Sequence, residues 1–196
     1  MSEISAVWER IEAWYEAQGA SHLLNPGASA EAIAQAEKQL GLTFPAELTE
    51  SLMRHDGSAG MSWPGGDLLS LEGIARERSV WMELLESDIF SGNADHNETS
   101  TLIQSGWWNP GWIPLHADGG GNGMVVDMAP AQAGTAGQVL FMDHEVGPNE
   151  PEYDSLAEYL EAIADGLEAG QFFVNEDAVV STDDISAPEL FRKESL

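Results

Sequence analysis

The segment from residue 107 to residue 145 restricts the fold more than any other part of the sequence. It contains three short runs of strand-forming residues, which are Trp112 to His116, Met124 to Met128 and Gln138 to Asp143. Between the first two runs, the sequence DGGGNG allows positive φ at almost every position, which closes a hairpin without Cβ strain and excludes a helix. The runs are rich in β-branched, aliphatic and aromatic residues that suit a pleated, half-buried surface. We therefore predict an antiparallel meander that other elements must cover.

Helical periodicity dominates the sequence on both sides of this meander. Val7, Ile11 and Trp14 form one apolar stripe in the first helix, and Ser155 with Glu158 forms a capping-box motif at the start of the last helix. A glycine, a proline or a serine cap marks the predicted boundaries. Five helices are predicted, over residues 5–17, 29–41, 45–56, 74–92 and 155–170.

Two further short strands are predicted outside the meander, at Asp67 to Leu71 and at Phe172 to Val174. Residues 93–106 are polar and have no hydrophobic period, so we expect a loop there. The sequence has no internal repeat and no linker between two cores. We predict one domain over residues 1–175, followed by an acidic C-terminal extension over residues 176–196.

The composition excludes several classes of protein. The 196 residues are 43% hydrophobic, which is enough for a packed core. No apolar run approaches the roughly 18 residues that a membrane span needs, and no secretion signal begins the sequence, so we expect a cytoplasmic protein without membrane contact. The chain has no cysteine, which excludes a disulfide framework and thiolate chemistry.

The chain is strongly acidic. It has 34 acidic and seven basic residues, which give a formal net charge of −27. A protein with this field repels phosphates, so nucleic acid is not an expected ligand. Two explanations of the acidity stay open: it keeps an abundant protein soluble, or it attracts a basic protein partner.

Few residues carry recognisable chemistry. Four histidines lie beside carboxylates in the sequence, in the pairs His55-Asp56, Asp95-His96, His116 with Asp118, and Asp143-His144. These pairs lack the spacing of a helical metal motif such as HExxH, and adjacency by chance is expected in so acidic a chain. The run from Gly119 to Gly123 lacks the following lysine of a phosphate-binding loop, and no Gly-x-Ser-x-Gly motif occurs. We predict no catalytic residue, no metal and no cofactor.

The aromatic residues are more informative, because seven tryptophans exceed the need of a core of this size. Trp63 lies in a loop rich in glycine and proline, and the neighbours Trp107 and Trp108 would face opposite sides of an extended chain. We therefore expect at least one of the three to be partly exposed. An exposed tryptophan beside carboxylates would serve as an interface anchor, while the alternative is that it covers a sheet edge.

Several short motifs occur in a fixed order along the chain. They are Trp8, Pro26-Gly27, Ala36-Glu37, Leu40-Gly41, Phe44-Pro45-Ala46-Glu47-Leu48, Leu52, His55-Asp56-Gly57, Trp112-Ile113-Pro114-Leu115, Asp118, Gly119, Asp127, Pro130, Gly137-Gln138-Val139 and Ser155-Leu156. Together, over about residues 5–165, they resemble the SMI/KNR family of the SUKH superfamily. The resemblance implies an α+β fold in which helices pack on a central mixed, largely antiparallel sheet. It also implies one of two roles, either regulation of fungal cell-wall synthesis or bacterial immunity against secreted toxins.

Resemblance and charge together give a hypothesis of function. We predict a non-enzymatic, immunity-type protein-binding module that neutralises a basic toxin domain, such as a nuclease, by occlusion. One alternative is a regulatory or scaffolding protein like the fungal members, and a second is an acidic metal-dependent enzyme that uses the histidine and aspartate pairs. The predicted partner-binding residues are Trp63, Asp67, Trp107, Trp108, Asp118 and Asp143.

Overall fold

The computed structural model describes residues 2–87, 89–90, 100–148, 150–176 and 178–181. These residues form a single α+β domain. Its α-helices are α1 (Glu3–Ala17), α2 (Ala30–Leu40), α3 (Ala46–Arg54), α4 (Leu71–Glu86) and α5 (Leu156–Glu168), with a 3-10 turn at Ser21–Leu23. Its strands are β1 (Asp67–Leu68), β2 (Trp112–Ala117), β3 (Gly123–Asp127), β4 (Gln138–Met142), β5 (Pro151–Tyr153), β6 (Phe172–Asn175) and β7 (Ala178–Ser181).

The central sheet has the strand order β1-β2-β3-β4-β5. Every neighbouring pair is antiparallel, so the predicted meander is confirmed and the sheet as described is antiparallel rather than mixed. Only two residues of the turn between β2 and β3 have positive φ, Gly119 at +78° and Gly121 at +106°. The hairpin predicted here is confirmed, and it uses the conformational freedom of glycine at these two positions. Gly123 is required for a different reason, because a Cβ there would lie 2.0 Å from the carbonyl oxygen of His116.

The helix boundaries follow the predicted caps at most ends. The Ser29 side chain accepts a hydrogen bond from the Ala32 amide and the Ser155 side chain accepts one from the Glu158 amide, as N-caps do. Gly41 ends α2 with a φ of +66°. These boundaries confirm the second and fifth predicted helices.

The predicted fourth helix was wrong at both ends. The Ser70 side chain caps α4 through the Gly73 amide, so the helix begins before Ile74. It ends at Glu86, and Ile89, which continues the apolar spacing of Trp81 and Leu85 in the sequence, is 60% exposed beyond the helix. Gly92, the predicted end, and residues 93–99 of the predicted loop lie outside the described residues.

The sheet has a hydrophobic core on each face. We call the larger one the first core; α1 and α5 contribute to it, together with Val139 of β4. The second core consists of Trp81, Ile103, Trp108, Trp112, Val125, Leu140 and Met142. Successive residues of β4 alternate between the two, as the strand period of two requires. The meander is therefore buried on both faces.

A second, two-stranded sheet follows α5. β6 confirms the strand predicted at Phe172 to Val174, and β7 pairs with it antiparallel. Val179 of β7 is 6% exposed and packs in the first core. The pairing crosses residue 176, where the predicted C-terminal extension begins, and residues 182–196 of that extension lie outside the described residues.

Candidate partner-binding surface

The cross-strand register brings three predicted carboxylates to one end of the sheet. One residue from each of the first four strands stands in the same row: Asp67, Ala117, Gly123 and Met142. Asp118 follows the β2 member of this row and Asp143 follows the β4 member. Asp67, Asp118 and Asp143 therefore lie at the same end of the sheet.

Asp118 holds the turn between β2 and β3. Its Oδ1 accepts hydrogen bonds from the backbone amides of Gly120 at 2.7 Å and Asn122 at 2.9 Å. Its Oδ2 accepts a third from the Asn122 side-chain amide at 2.8 Å. These bonds fix the carboxylate at the tip of the hairpin, where it is partly exposed.

Asp143 holds the turn after β4 through hydrogen bonds to backbone amides, as Asp118 does in the hairpin. Its Oδ1 accepts from the amides of Glu145 at 2.7 Å and Val146 at 3.2 Å. The Oδ1 of Asn122 accepts from the His144 amide at 3.1 Å, which ties this turn to the neighbouring hairpin. The two turns thus form one continuous surface with two fixed carboxylates.

Asp67 is partly buried and is held by a side-chain hydrogen bond. Its Oδ1 accepts from the Ser58 hydroxyl at 3.1 Å. Burial raises the pKa of Asp67, while the Ser58 hydrogen bond and the charge of Arg76 lower it. Burial is the largest of these influences, so the pKa of Asp67 is raised overall.

Two exposed apolar side chains lie beside these carboxylates. Met61 is 48% exposed and Val146 is 37% exposed. The Met61 sulfur lies 3.8 Å from the position that a Cβ on Gly119 would occupy, so Met61 is next to the hairpin tip. We call this region the hairpin-end surface, and we define it by Met61, Asp67, Asp118, Asp143 and Val146.

The expectation that at least one of Trp63, Trp107 and Trp108 is partly exposed was wrong, beginning with Trp63. The side chain is fully buried between α1 and α5, with its ring 5.6 Å from that of Trp8. Its Nε1 donates a hydrogen bond to the Tyr159 hydroxyl at 3.0 Å. The segment between α3 and β1 turns the Trp63 side chain inward, which local composition does not reveal.

The expectation of exposure was also wrong for Trp107 and Trp108, which are 8% and 4% exposed. Trp108 stacks on Trp81 of α4 at 5.2 Å, and Trp107 stacks on Phe90 at 5.3 Å. We expected neighbouring tryptophans to face opposite sides of an extended strand, but Trp107 and Trp108 are not in a strand. Phe90 also covers the Trp107 ring. The exposed apolar side chains at the hairpin-end surface are instead Met61 and Val146, which we did not predict from the sequence.

The histidine and aspartate pairs do not converge. His55 Nε2 lies 2.8 Å from Glu12 Oε1, and His144 Nδ1 lies 2.8 Å from the side-chain oxygen of Asn122. His116 is buried, and this burial lowers its pKa to about 4 against the opposing charge of Asp118. Asp95 and His96 lie outside the described residues. Among the described residues, no group of three histidine, aspartate or glutamate side chains could hold a metal ion.

No helix in the described part of the chain is long and apolar enough to cross a membrane.

The residues of the hairpin-end surface and of the central sheet lie in a part of the sequence that matches a family model. The model of the SMI1 / KNR4 family (SUKH-1) matches residues 27–162. The chain belongs to this family. The match extends from before α2 into α5, so it includes all five strands of the central sheet.

Curated SMI1/KNR4 relatives are fungal. The chain is 30% identical to the cell wall biosynthesis/cell cycle regulator smi1 of Schizosaccharomyces pombe, over 89% of this chain and 38% of that protein. It is 26% identical to a glucan synthesis regulatory protein of Neurospora crassa, over 89% of this chain and 40% of the relative. It is 22% identical to the cell wall assembly regulator SMI1 of Saccharomyces cerevisiae, over 90% of this chain and 43% of the relative. The chain thus spans less than half the length of these relatives.

Proposed function

We propose that this SMI1/KNR4-family chain is a non-enzymatic regulatory or scaffolding module that binds a basic protein partner through the hairpin-end surface. The observation that carries the proposal is the convergence of Asp67, Asp118 and Asp143 beside two exposed apolar side chains. Fixed carboxylates can pair with lysine or arginine, and Met61 and Val146 can bury apolar area at the same contact. Neither contribution requires chemistry from this chain.

The names of the relatives support regulation over toxin neutralisation. All three relatives named above are regulators of cell-wall or glucan synthesis or assembly. None of these names refers to a toxin or to an enzyme activity. The regulatory alternative therefore replaces the immunity-type hypothesis as the leading proposal. We propose a cytoplasmic location for this regulatory protein.

The charge of the chain supports a basic partner. A formal charge of −27 attracts cationic surfaces over long range and speeds their encounter. Salt screens this attraction, but it does not screen apolar burial. Affinity should therefore fall as sodium chloride rises and then reach a level that salt changes little.

The partner can be captured with the tagged protein from its own host and tested against matched variants. Asp118→Asn and Asp143→Asn together remove two charges from the hairpin-end surface, while asparagine oxygens can still accept from the turn amides. Glu16→Gln and Glu31→Gln together remove the same charge from exposed positions on α1 and α2. We expect the first pair to weaken binding by about tenfold and the second to change it less than about twofold.

Surface plasmon resonance of the captured partner across a sodium chloride series measures both variants. A flat salt response, or equal losses in the two double variants, would contradict the proposal. Trp108→Ala is unsuitable as a test of contact, because Trp108 is buried in the second core. Met61→Ser tests the apolar part, and we expect it to lower the salt-insensitive component of binding.

A further inference from the structure

A groove lies beside α5, away from the hairpin-end surface. Its volume is about 320 Å³, far above the roughly 10–15 Å³ that one water molecule needs. Glu158, Glu161 and Asp165 line it together with the small residues Ala162 and Gly166. The spacing of these residues places them on one face of α5. The groove is therefore an open, acidic space with room for a side chain of a partner.

The groove and the hairpin-end surface are separate. Tyr153 of β5 lines the groove and pairs with Val139, near the start of β4. The hairpin-end surface adjoins Met142, which is the last residue of β4. A ligand in the groove would therefore contact a different part of the domain.

Tyr153 provides an independent indication of a ligand. The residue is only 2% exposed, and its hydroxyl has no hydrogen-bond partner among the described residues. Burial raises the pKa of Tyr153, and the nearby carboxylates of Glu152 and Glu158 raise it further, so the hydroxyl stays protonated. A buried polar group without a partner costs free energy, which is why such groups are rare in folded proteins. The hydroxyl would recover this cost by bonding to a ligand.

The carboxylates that line the groove favour a positively charged ligand. Arg10 of α1 already binds one end of this face, where its Nη2 lies 2.5 Å from Asp165 Oδ1 and 2.6 Å from Glu168 Oε2. Glu161 is exposed, and no basic side chain pairs with it in the part of the chain that the structure describes. The described carboxylates do not cluster tightly enough for a metal ion, and a second copy of a chain with a charge of −27 would be repelled. A lysine or arginine side chain of another protein satisfies these conditions.

We propose that the α5 groove binds a lysine or arginine side chain of a partner protein, with Glu158 and Glu161 facing the cation and Tyr153 gaining its missing hydrogen bond. This inference rests on the proposed protein-binding function but assigns a second contact on a different surface. Two separated contacts for basic side chains would let the domain bind an extended basic segment more tightly than either contact alone.

Nitrogen-15 NMR of the whole chain tests this proposal with defined probes. The probe is a Gly-Ser peptide that carries two lysines, and the matched control carries norleucine, which is an uncharged analogue, at the same positions. We expect the lysine peptide to shift the amide signals of Ala162, Gly166 and Ala169, and the norleucine peptide to leave them unchanged. An arginine version of the peptide should bind at the same place.

Two variants identify the contacts. Glu161→Gln should weaken lysine-peptide binding about twofold to fivefold, as loss of an exposed ion pair does. Tyr153→Phe should weaken it about fivefold to tenfold, while the melting temperature stays equal or rises because the unpaired hydroxyl is removed. A lower melting temperature for Tyr153→Phe together with unchanged binding would show a structural role and overturn the proposal.

The location of the shifts separates this inference from the proposed function. Shifts confined to residues 118–122 and 143–146, or equal shifts with the norleucine peptide, would overturn the groove proposal and leave the hairpin-end surface in place. Shifts at α5 that persist in the Asp118→Asn, Asp143→Asn double variant would support the groove. They would do so even if those substitutions failed to weaken the captured partner.

Discussion

The tryptophans on the two faces of the sheet differ in how their indole N–H groups are satisfied. In the first core, Trp8 Nε1 donates to the Ser51 hydroxyl at 3.0 Å and Trp63 Nε1 donates to the Tyr159 hydroxyl at 3.0 Å. In the second core, Trp81 Nε1 donates to Glu77 Oε1 at 3.2 Å and the Trp112 indole is near enough to the Asp127 carboxylate to lower its pKa, whereas Trp108 Nε1 is buried without a hydrogen-bond partner among the described residues. Ring stacking stabilises these side chains, since Trp108 is parallel to Trp81 and edge-on to Trp112.

Trp63 and Trp108 are therefore held by different means, the first by a hydrogen bond and the second by ring stacking. A directional hydrogen bond fixes one orientation of a ring, whereas stacking and apolar burial tolerate several related shapes. The first core should therefore lose more stability than the second when a tryptophan is shortened. It should also be the more uniquely ordered of the two.

The largest expected effect is that of Trp63→Ala. Removal of a fully buried indole leaves a cavity between α1 and α5 and deprives the Tyr159 hydroxyl of its donor, so we expect a loss of about 3–5 kcal/mol in the free energy of unfolding. Urea unfolding followed by circular dichroism measures it. Trp14→Ala, at a partly exposed position of α1, is the control and should cost clearly less. A loss below about 2 kcal/mol for Trp63→Ala would contradict the importance of this contact.

A smaller effect is expected at Gly137, just before the strand that both faces share. Gly137 has a φ of +98°, and a Cβ at this position would meet no heavy atom within 4 Å. Gly137→Val therefore isolates backbone strain, and we expect it to lower stability by about 1–3 kcal/mol. Differential scanning calorimetry checks this, with Gly137→Ala as a milder version. An unchanged melting temperature would remove the strain argument.

Local features of this fold could be predicted from the sequence, whereas features that depend on distant contacts could not. The strands of the meander and the caps at Ser29 and Ser155 were predictable because each depends on residues within a few positions of one another. The end of α4 was not, because the stripe from Trp81 through Leu85 continues to Ile89 in sequence although the helix stops at Glu86. A local hydrophobic period does not say where tertiary packing ends a helix.

The candidate site was predictable in part for the same reason. Asp118 lies just after one predicted strand and Asp143 is the last residue of another, so their proximity is a consequence of the antiparallel register. The burial of Trp63 depends on Tyr159, which is 96 residues away in the chain. A contact of that separation leaves no local pattern, and this is why the predicted aromatic anchors proved to be core residues.

A matched pair of variants, Trp63→Phe and Trp108→Phe, compares one tryptophan from each face of the sheet. Both remove an indole ring from a buried site, but only the first also removes a hydrogen bond that the indole donates, the one to the Tyr159 hydroxyl. We expect Trp63→Phe to cost about 1 kcal/mol more than Trp108→Phe, which is the net contribution of one hydrogen bond. Equal losses in urea unfolding would show that the hydrogen bond to Tyr159 does not distinguish the two faces.

The smallest expected effect concerns a charged network at the edge of the first core. Arg54 binds Glu12 through two of its three guanidinium nitrogens, Nε at 2.5 Å and Nη2 at 2.6 Å. His55 lies 2.8 Å from the same carboxylate and packs against Trp8, with ring centroids 4.8 Å apart. The hydrogen bonds from Arg54, and then that of His55, hold the pKa of Glu12 below its usual 4.5 against the opposing effect of burial.

This lowered pKa predicts a loss of stability in acid. The unfolded chain binds a proton at Glu12 at higher pH than the folded chain does, so the contribution of Glu12 is complete above about pH 4.5 and is lost as pH falls through the lowered pKa. The side chains of Glu12 and Arg54 are 30% and 37% exposed, and solvent screening limits the contribution to about 1 kcal/mol or less. We expect Glu12→Gln to be destabilised at pH 6 but to approach the wild type at pH 3. Glu16→Gln, on the exposed side of α1, is the control, and a difference between Glu12→Gln and wild type that stays constant from pH 6 to pH 3 would contradict the linkage. Because Glu12 of α1 pairs with Arg54 of α3, hydrogen exchange should show α1 losing protection at low pH before β2 does.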